Sequence, residues 1–196
     1  MRFEEFKKGL THLELVSKGW RSYVYKALFE GKKVAVKVAK GNNLKYAIRK
    51  EAQILTKLRG IKNFPQIVAC GEDFIVYEFI EGLPLEKCCL TNKEKKRVYK
   101  KVLELAFLLD KMCVSREEFQ RLDKNIIISK GGEVYVIDFE RGNVNCTRKK
   151  NVPQLIQLFR REGYISFDEA IRLGKEYGKG PERVFQELKG KLDKSL

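Results

Sequence analysis

A chain of 196 residues, 43% of them hydrophobic, is long enough to bury a globular core, which excludes a fold that must be held together by disulfide bonds. Lysine and arginine number 41 against 26 aspartates and glutamates, and the resulting net charge of +15 predicts a positive surface. Such a surface attracts polyanions, among them nucleotides, RNA and anionic lipid headgroups, or simply keeps a lysine-rich protein soluble.

The first part of the chain is typical of a β-sheet with one helix. Alternating apolar and polar residues, with a glycine turn at residues 30–32, predict strands and a hairpin. The five predicted strands are residues 13–16, 23–29, 33–38, 66–69 and 74–79. A helix is expected at residues 44–58, with Asn42 and Asn43 as its caps and Gly60 at its end.

After Gly82 and Pro84 the pattern becomes mainly helical, with a hinge expected near Gly82. One helix is predicted to start at a capping box, Thr91 to Glu94. Further elements follow in chain order: two short strands at 125–129 and 133–138, and helices at 152–161, after the capping box 166–169, and from Pro181. Together the two parts indicate an α+β fold.

Cysteine and histidine contents argue against a zinc or disulfide scaffold. His12 is the sole histidine, and the cysteines are odd in number with no C-x-x-C pair. Free thiols in a reducing compartment are expected for Cys70, Cys88, Cys89, Cys113 and Cys146. The first ten residues lack the apolar stretch of a signal peptide, and the longest apolar run, Leu105–Leu109, is too short to span a bilayer. These features favour a cytoplasmic location.

A lysine and a glutamate stand at unusual places in the first part. Lys37 ends the apolar run Val34–Lys37, and Glu51 falls on the apolar stripe of the following helix, three residues from both Ile48 and Ile54. A charge in an apolar setting is costly unless it is paired, so an ion pair between Lys37 and Glu51 is one solution. The alternative is an open sheet face for Lys37 and a glutamate that reaches water.

The second part carries two oxygen-bearing side chains at the ends of its strands. Asp138 is predicted to end one strand and Asn125 to begin the other. Together they could hold one hard cation, since magnesium bound to phosphates needs few protein ligands. A hairpin with ordinary polar ends is the alternative.

With these residues in this order, the chain resembles the protein-kinase superfamily over about residues 13–145. The motifs are V-A-V-K at 34–37, Glu51, the hinge-like segment 77–82, N-I-I at 125–127 and I-D-F-E at 137–140. It is most similar to compact archaeal predicted Ser/Thr kinases, and distantly to RIO-type and lipopolysaccharide-core kinases. The resemblance implies a kinase-like two-lobe α+β fold, with an N-lobe at 1–81 and a reduced, mainly helical C-lobe at 82–196.

The resemblance also implies ATP and Mg²⁺ as cofactors. Lys37 would hold the α- and β-phosphates, and Glu51 would orient it. Asp138 and Asn125 would hold magnesium. Backbone groups of Glu78 and Ile80 would bind adenine, with Tyr77 at the back of the pocket. Glycine-rich-loop spacing, counted back from Val24, points to Ser17, Gly19 and Ser22, of which one is a glycine.

The catalytic loop departs from the family pattern. Kinases place an aspartate five residues before the asparagine, and here that residue is Gln120. A loop two residues longer would put Glu118 in the aspartate's place, with Asp123 as the second choice. Both carboxylates could instead be solvated loop charges. Glu140 replaces the usual glycine after Asp138 and Phe139, where it would stiffen the segment or add a carboxylate near the metal.

Three functional hypotheses follow. The first is an ATP-dependent kinase of Ser/Thr hydroxyls, in which Lys37, Glu118 and Asp138 are catalytic; its acceptor, a protein or a small molecule, is unknown. The second is a pseudokinase, which binds nucleotide without transfer. The third is an RNA- or ribosome-associated protein that uses the charge of +15 and is compatible with either of the others.

Overall fold

The computed structural model describes residues 1–145 and 147–194. Its polypeptide forms two compact units, one made of Met1–Gly82 with Ile137–Gly142, the other of Leu83–Val136 and the chain from Asn143 onward. The short segment after residue 136, which the sequence analysis assigns to the second lobe, belongs to the first unit. Cys70, Cys88, Cys89 and Cys113 are free thiols, and Cys146 lies outside the described residues.

A five-stranded antiparallel sheet is the framework of the first unit. Its order is β1-β2-β3-β5-β4, and each of the five predicted strands is confirmed. The bounds are β1 Thr11–Lys18, β2 Ser22–Phe29, β3 Lys32–Ala39, β4 Ile67–Cys70 and β5 Phe74–Glu78. Glu30 and Gly31, between β2 and β3, both have positive φ, 49° and 76°. Two successive residues with positive φ form the two-residue turn that suits the twist of a hairpin.

The segment before the sheet is a short helix that the sequence did not predict. Helix α1, Phe3–Phe6, is followed by a 3₁₀ turn at Lys7–Gly9. Phe3 and Phe6 are buried against the sheet, and the Phe6 ring stacks on Phe74 with centroids 4.6 Å apart. A Cβ at Gly71 would lie 2.6 Å from the Met1 carbonyl oxygen, so the turn between β4 and β5 needs a glycine there.

Helix α2, Lys45–Lys57, packs on β3, β4 and β5. Its buried positions repeat at helical spacing, which explains why an amphipathic helix forms here. They are Ala47, Ile48, Glu51, Ile54 and Leu55. The prediction that Asn42 and Asn43 cap this helix is wrong, because both lie in a 3₁₀ turn and no side chain caps α2.

The second unit is mainly helical. Its helices are α3 Asn92–Lys111, α4 Asn151–Arg161, α5 Phe167–Tyr177 and α6 Pro181–Lys194. Both predicted capping boxes are confirmed, at Thr91 for α3 and at Ser166 for α5. Helix α3 packs on α4 and α6, and α5 packs on both of those helices. Among residues 1–145 and 147–194, none of the helices combines the length and the apolar character that a membrane span requires.

Two small sheets complete this unit. The strands are β6 Gly82–Pro84, β7 Val114–Ser115, β8 Ile126–Ser129, β9 Val134–Val136 and β10 Asn143–Val144. One sheet has the order β6-β8-β9, and the other pairs β7 with β10. With a sheet-based first unit and a helical second unit, the predicted α+β class is confirmed.

Candidate active site

The predicted pair of Lys37 and Glu51 is present in the first unit. Lys37 lies at the centre of the sheet, paired with Val24 on β2 and Ile75 on β5. Its Nζ donates a hydrogen bond to Glu51 Oε2 at 2.7 Å. Their side chains are only 6% and 2% exposed, so the two charges are almost completely removed from water. Each charge needs the other in such a place.

Asp138 joins this pair from the segment after β9. The strand ends at Val136, so the prediction that Asp138 ends the strand is wrong by two residues. Asp138 has a positive φ of 65°, a conformation that costs a non-glycine residue about 1–3 kcal/mol. Its Oδ1 accepts a hydrogen bond from Lys37 Nζ at 2.9 Å, and the side chain is 30% exposed. The strained backbone thus turns a carboxylate toward the buried lysine.

Phe139 anchors the same segment. Its ring is fully buried and meets Phe64 edge-on, with centroids 5.9 Å apart. Its backbone N–H donates to Glu51 Oε1 at 3.1 Å. Both oxygens of Glu51 are therefore engaged, one by Lys37 and one by the backbone next to Asp138. Burial of this aromatic ring helps to offset the strain at Asp138.

A third carboxylate, Glu140, completes the cluster. Its Oε2 lies 3.4 Å from Lys37 Nζ, and its Oε1 lies 3.7 Å from Arg21 Nη1. With every group ionised, the charges of these five side chains, Lys37, Arg21, Glu51, Asp138 and Glu140, sum to −1.

These charges shift the pKa values in the cluster. Burial alone would lower the pKa of Lys37, but the attraction of Glu51 and then of Asp138 raises it well above its ordinary value. Burial raises the pKa of Glu51, against the attraction of Lys37. Burial, with the nearby charge of Glu51, also raises the pKa of Tyr77. At neutral pH the ammonium of Lys37 therefore stays protonated and the phenol of Tyr77 stays neutral.

The predicted phosphate loop is the turn between β1 and β2. Ser17 lies in β1 opposite Val24, and Ser22 is buried at the start of β2, so these two residues flank the turn. The Gly19 N–H donates to Ser22 O at 3.0 Å and closes it. Arg21, in the turn, brings a guanidinium to Glu140.

The hinge-like segment leaves the end of β5. The Glu78 N–H donates to Gln66 O at 2.9 Å, which leaves its carbonyl as the backbone group it could offer to adenine. The next residue, Phe79, is tied to β3 by a hydrogen bond from its N–H to Lys33 O at 3.1 Å. Ile80 follows Phe79 in the chain. Tyr77 precedes Glu78 and pairs with Ala35 on β3.

In the second unit, the loop after β7 brings Glu118 and Asn125 together. Asn125 Nδ2 donates to Glu118 Oε2 at 3.2 Å, which directs the amide nitrogen to the carboxylate and leaves the amide oxygen as the atom for a cation. Gln120 is exposed, and its carbonyl accepts a hydrogen bond from Arg161. Asp123 instead lines a separate cavity of about 470 Å³, beside Arg121 and Arg161.

Helix α4 fixes the backbone of this loop, which the sequence analysis missed. Asn151 Oδ1 accepts from the Arg116 N–H at 2.9 Å, and Gln154 Oε1 accepts from the Phe119 N–H at 2.7 Å. Asp110 accepts three hydrogen bonds from the first residues of α4, at 2.9–3.1 Å, and one from Tyr177 Oη at 2.7 Å. The signal in the sequence that could have indicated these contacts is the presence of polar residues on a helix whose other buried positions are apolar.

Comparisons with known proteins found one matching family and similar proteins from two organisms. The model of the RIO domain matches residues 25–169. A Bacillus subtilis (strain 168) protein named "Putative serine/threonine-protein kinase YrzF" is 31% identical over 140 residues, 71% of this chain and 64% of that protein. A Dictyostelium discoideum protein named "Probable serine/threonine-protein kinase mkcF" is 29% identical over 143 residues, 69% of this chain and 21% of that protein. The chain thus spans less than two thirds of the length of either relative. The match to the RIO domain covers most of the length of this chain. It belongs to the RIO-domain family, an atypical family related to the protein kinases.

Proposed function

We propose that this chain is an ATP- and magnesium-dependent phosphotransferase that acts on Ser or Thr hydroxyls of a protein. The observation that carries the proposal is the ammonium of Lys37, buried and held at 2.7 Å by Glu51 and at 2.9 Å by Asp138. Burying such a cluster costs stability, so a purely structural role explains it poorly. Both relatives are named as serine/threonine-protein kinases, which supports this class of acceptor.

In this proposal Lys37 binds the α- and β-phosphates while Glu51 holds its ammonium in place. Asp138 and Asn125 would hold Mg²⁺, which supplies charge neutralisation between the phosphates. Their chemistry fits, because each has an amide or carboxylate oxygen, and magnesium completes its coordination with phosphate and water oxygens. The excess negative charge of the Lys37 cluster also favours a cation beside Asp138.

The adenine would be bound by the backbone. The carbonyl of Glu78 and the N–H of Ile80 are the groups proposed for its hydrogen bonds, and Tyr77 closes the pocket. Tyr77 is suited to that role because it is neutral and half-buried. Ser17, Gly19 and Ser22 would border the phosphates.

Glu118 is proposed as the base. It takes the proton of the acceptor hydroxyl, whose oxygen bonds to the γ-phosphorus as the bond to the β–γ bridging oxygen breaks and ADP leaves. Its contact with Asn125 supports this role over that of Asp123, which lines the cavity beside Arg121 and Arg161. The exposed Gln120, at the usual position of the aspartate, favours the pseudokinase alternative.

The deciding experiment incubates purified protein with γ-labelled ATP and Mg²⁺ and follows label on protein and as free phosphate. Wild type is compared with Asp138→Ala and Glu118→Gln, with Gln120→Ala as the matched loop control. We expect label in wild type and in the control, and its loss in the other two variants. Binding of ATP with no label in any sample would instead identify a pseudokinase, and no binding would overturn both.

Two further parts of the proposal concern the setting. The net charge of +15 supports an RNA or ribosomal partner, whose affinity would fall steeply with salt in a filter-binding assay. An affinity that is independent of salt would count against such a partner.

The free thiols support a cytoplasmic location, which fractionation of the native cells would test.

A further inference from the structure

Glu140 bridges two cations of the first unit. One of its oxygens lies 3.4 Å from Lys37 Nζ and the other 3.7 Å from Arg21 Nη1. The side chains of Arg21 and Glu140 are only 20% and 16% exposed, unlike an ordinary surface ion pair. A carboxylate between a buried lysine and a half-buried arginine occupies a place that suits one phosphate group equally well, since both are oxyanions that accept charge-assisted hydrogen bonds.

Backbone hydrogen bonds of the turn between β1 and β2 position Arg21 beside Glu140. The Lys40 N–H donates to Arg21 O at 2.9 Å, and the Gly19 N–H donates to Ser22 O at 3.0 Å. The root of the arginine side chain is therefore fixed on both sides. A Cβ at Gly19 would meet Ser22 O at 3.4 Å, an ordinary contact, so the fold alone does not demand a glycine there.

We propose that Arg21 is a phosphate-binding residue of the nucleotide site and that Glu140 acts as an internal stand-in for a phosphate, which the nucleotide displaces. The inference rests on the proposed function and adds a binding residue to it. A glycine-rich loop holds phosphates with backbone N–H groups, and this turn has one glycine where that pattern has three. The guanidinium of Arg21 offers charged donors where fewer backbone N–H groups can come close, and its planar shape suits phosphate oxygens.

The two residues then have opposite effects on affinity. Without Arg21 the phosphates lose a charge-assisted contact, which weakens binding roughly ten- to a hundredfold. Without the charge of Glu140, one competitor for Arg21 and Lys37 and one charge that repels the phosphates are removed, although Lys37 keeps its bonds to Glu51 and Asp138. Binding therefore strengthens by about tenfold. A purely structural ion pair would instead weaken binding when either partner is lost.

The test is isothermal titration of Mg-ATP, Mg-ADP and adenosine into wild type, Arg21→Ala, Arg21→Lys and Glu140→Gln. Arg49→Ala, an exposed arginine of α2, is the matched control for charge. We expect Arg21→Ala to weaken ATP and ADP but not adenosine, Arg21→Lys to weaken them less, and Glu140→Gln to strengthen them. Should Arg21→Ala fail to fold, the opposite shift in Glu140→Gln carries the test.

Fluorescence gives a second readout. Trp20 is the single tryptophan, is 83% exposed, and has the Arg21 guanidinium 5.9 Å from its ring. If Arg21 moves from Glu140 to a phosphate, the fluorescence emission of Trp20 should change when ATP is added and should not change when adenosine is added.

The outcomes separate the two proposals. If wild type binds ATP and Arg21→Ala binds it equally tightly, the role of Arg21 is overturned and the proposed function stands. If Arg21→Ala loses adenosine and ATP alike, or if Glu140→Gln weakens ATP binding, the pair is structural and the inference is also overturned. If wild type binds no ATP, the proposed function and the inference fall together.

Discussion

Replacing Lys37 with methionine tests whether the charge cluster of the first unit is truly desolvated. Methionine keeps most of the side-chain length and removes the ammonium, so Glu51 remains buried at 1% exposure without its cation. Removing one partner of a buried pair typically costs about 3–5 kcal/mol, whereas an exposed pair is worth about 0–1 kcal/mol. We therefore expect Lys37→Met to lower the free energy of unfolding by roughly 3 kcal/mol or more.

The sign of the pH dependence follows from the pKa of Glu51. Burial already raises that pKa, and loss of Lys37 removes the attraction that opposes the rise. A carboxyl with a raised folded pKa contributes stability that is complete below its unfolded pKa, about 4.3, and is lost as the pH rises through the folded value. The deficit of Lys37→Met should therefore be larger at about pH 8 than at about pH 5.

Urea unfolding followed by circular dichroism measures both effects, with the slopes compared between variants. Lys33→Met is the matched control, because Lys33 is on the same strand and its pair with Glu81 is exposed. Adding Glu51→Gln to Lys37→Met should restore most of the stability, since the glutamine oxygen can still accept from the Phe139 N–H. A deficit no larger than that of Lys33→Met, or one equal at both pH values, would refute the desolvated pair.

Two further predictions concern the packing of each unit. Phe6→Ala should cost about 3–5 kcal/mol, because the ring is buried against Phe74, and a similar urea midpoint for variant and wild type would contradict that packing. Tyr177→Phe should cost about 1.5–3 kcal/mol, because it removes the hydroxyl that donates to Asp110. Burial raises the pKa of Asp110, and the lost donor raises it further, so this cost should grow as the pH rises above the unfolded carboxyl pKa of about 3.9; a cost that shrinks with pH would count against it.

Local rules were sufficient for much of the fold. Strand alternation and the glycine turn identified the sheet, and the capping boxes at Thr91 and Ser166 form as expected because they depend on four consecutive residues. Helix α1 escaped prediction because four residues show no periodicity, and its phenylalanines are explained by the sheet they cover. Asn42 and Asn43 are typical caps, but the chain enters α2 through a 3₁₀ turn instead.

The charge cluster could be predicted only in part. Lys37 and Glu51 stood out because each interrupts an apolar pattern. Two opposite charges in apolar surroundings are expected to pair with each other. Glu140 and Arg21 lie in irregular segments, where sequence gives no face or register, so their ion pair could not be inferred. Asp138 was singled out by its place at the end of a predicted strand, but its positive φ has no signal in the sequence.

The loop after β7 shows why counting residues and measuring distances give different answers. Five positions before Asn125 stands Gln120, whose side chain faces solvent. The residues between Glu118 and Asn125 form turns, in which the Arg121 N–H donates to Glu118 O at 3.3 Å and the Asn125 N–H donates to Leu122 O at 3.2 Å. These turns bring Asn125 back to Glu118, while α4 holds the backbone on either side of that carboxylate. Turns of this kind bring two side chains together whatever their separation in the sequence. The distance of 3.2 Å, and not the count, is therefore the reason to test Glu118 first.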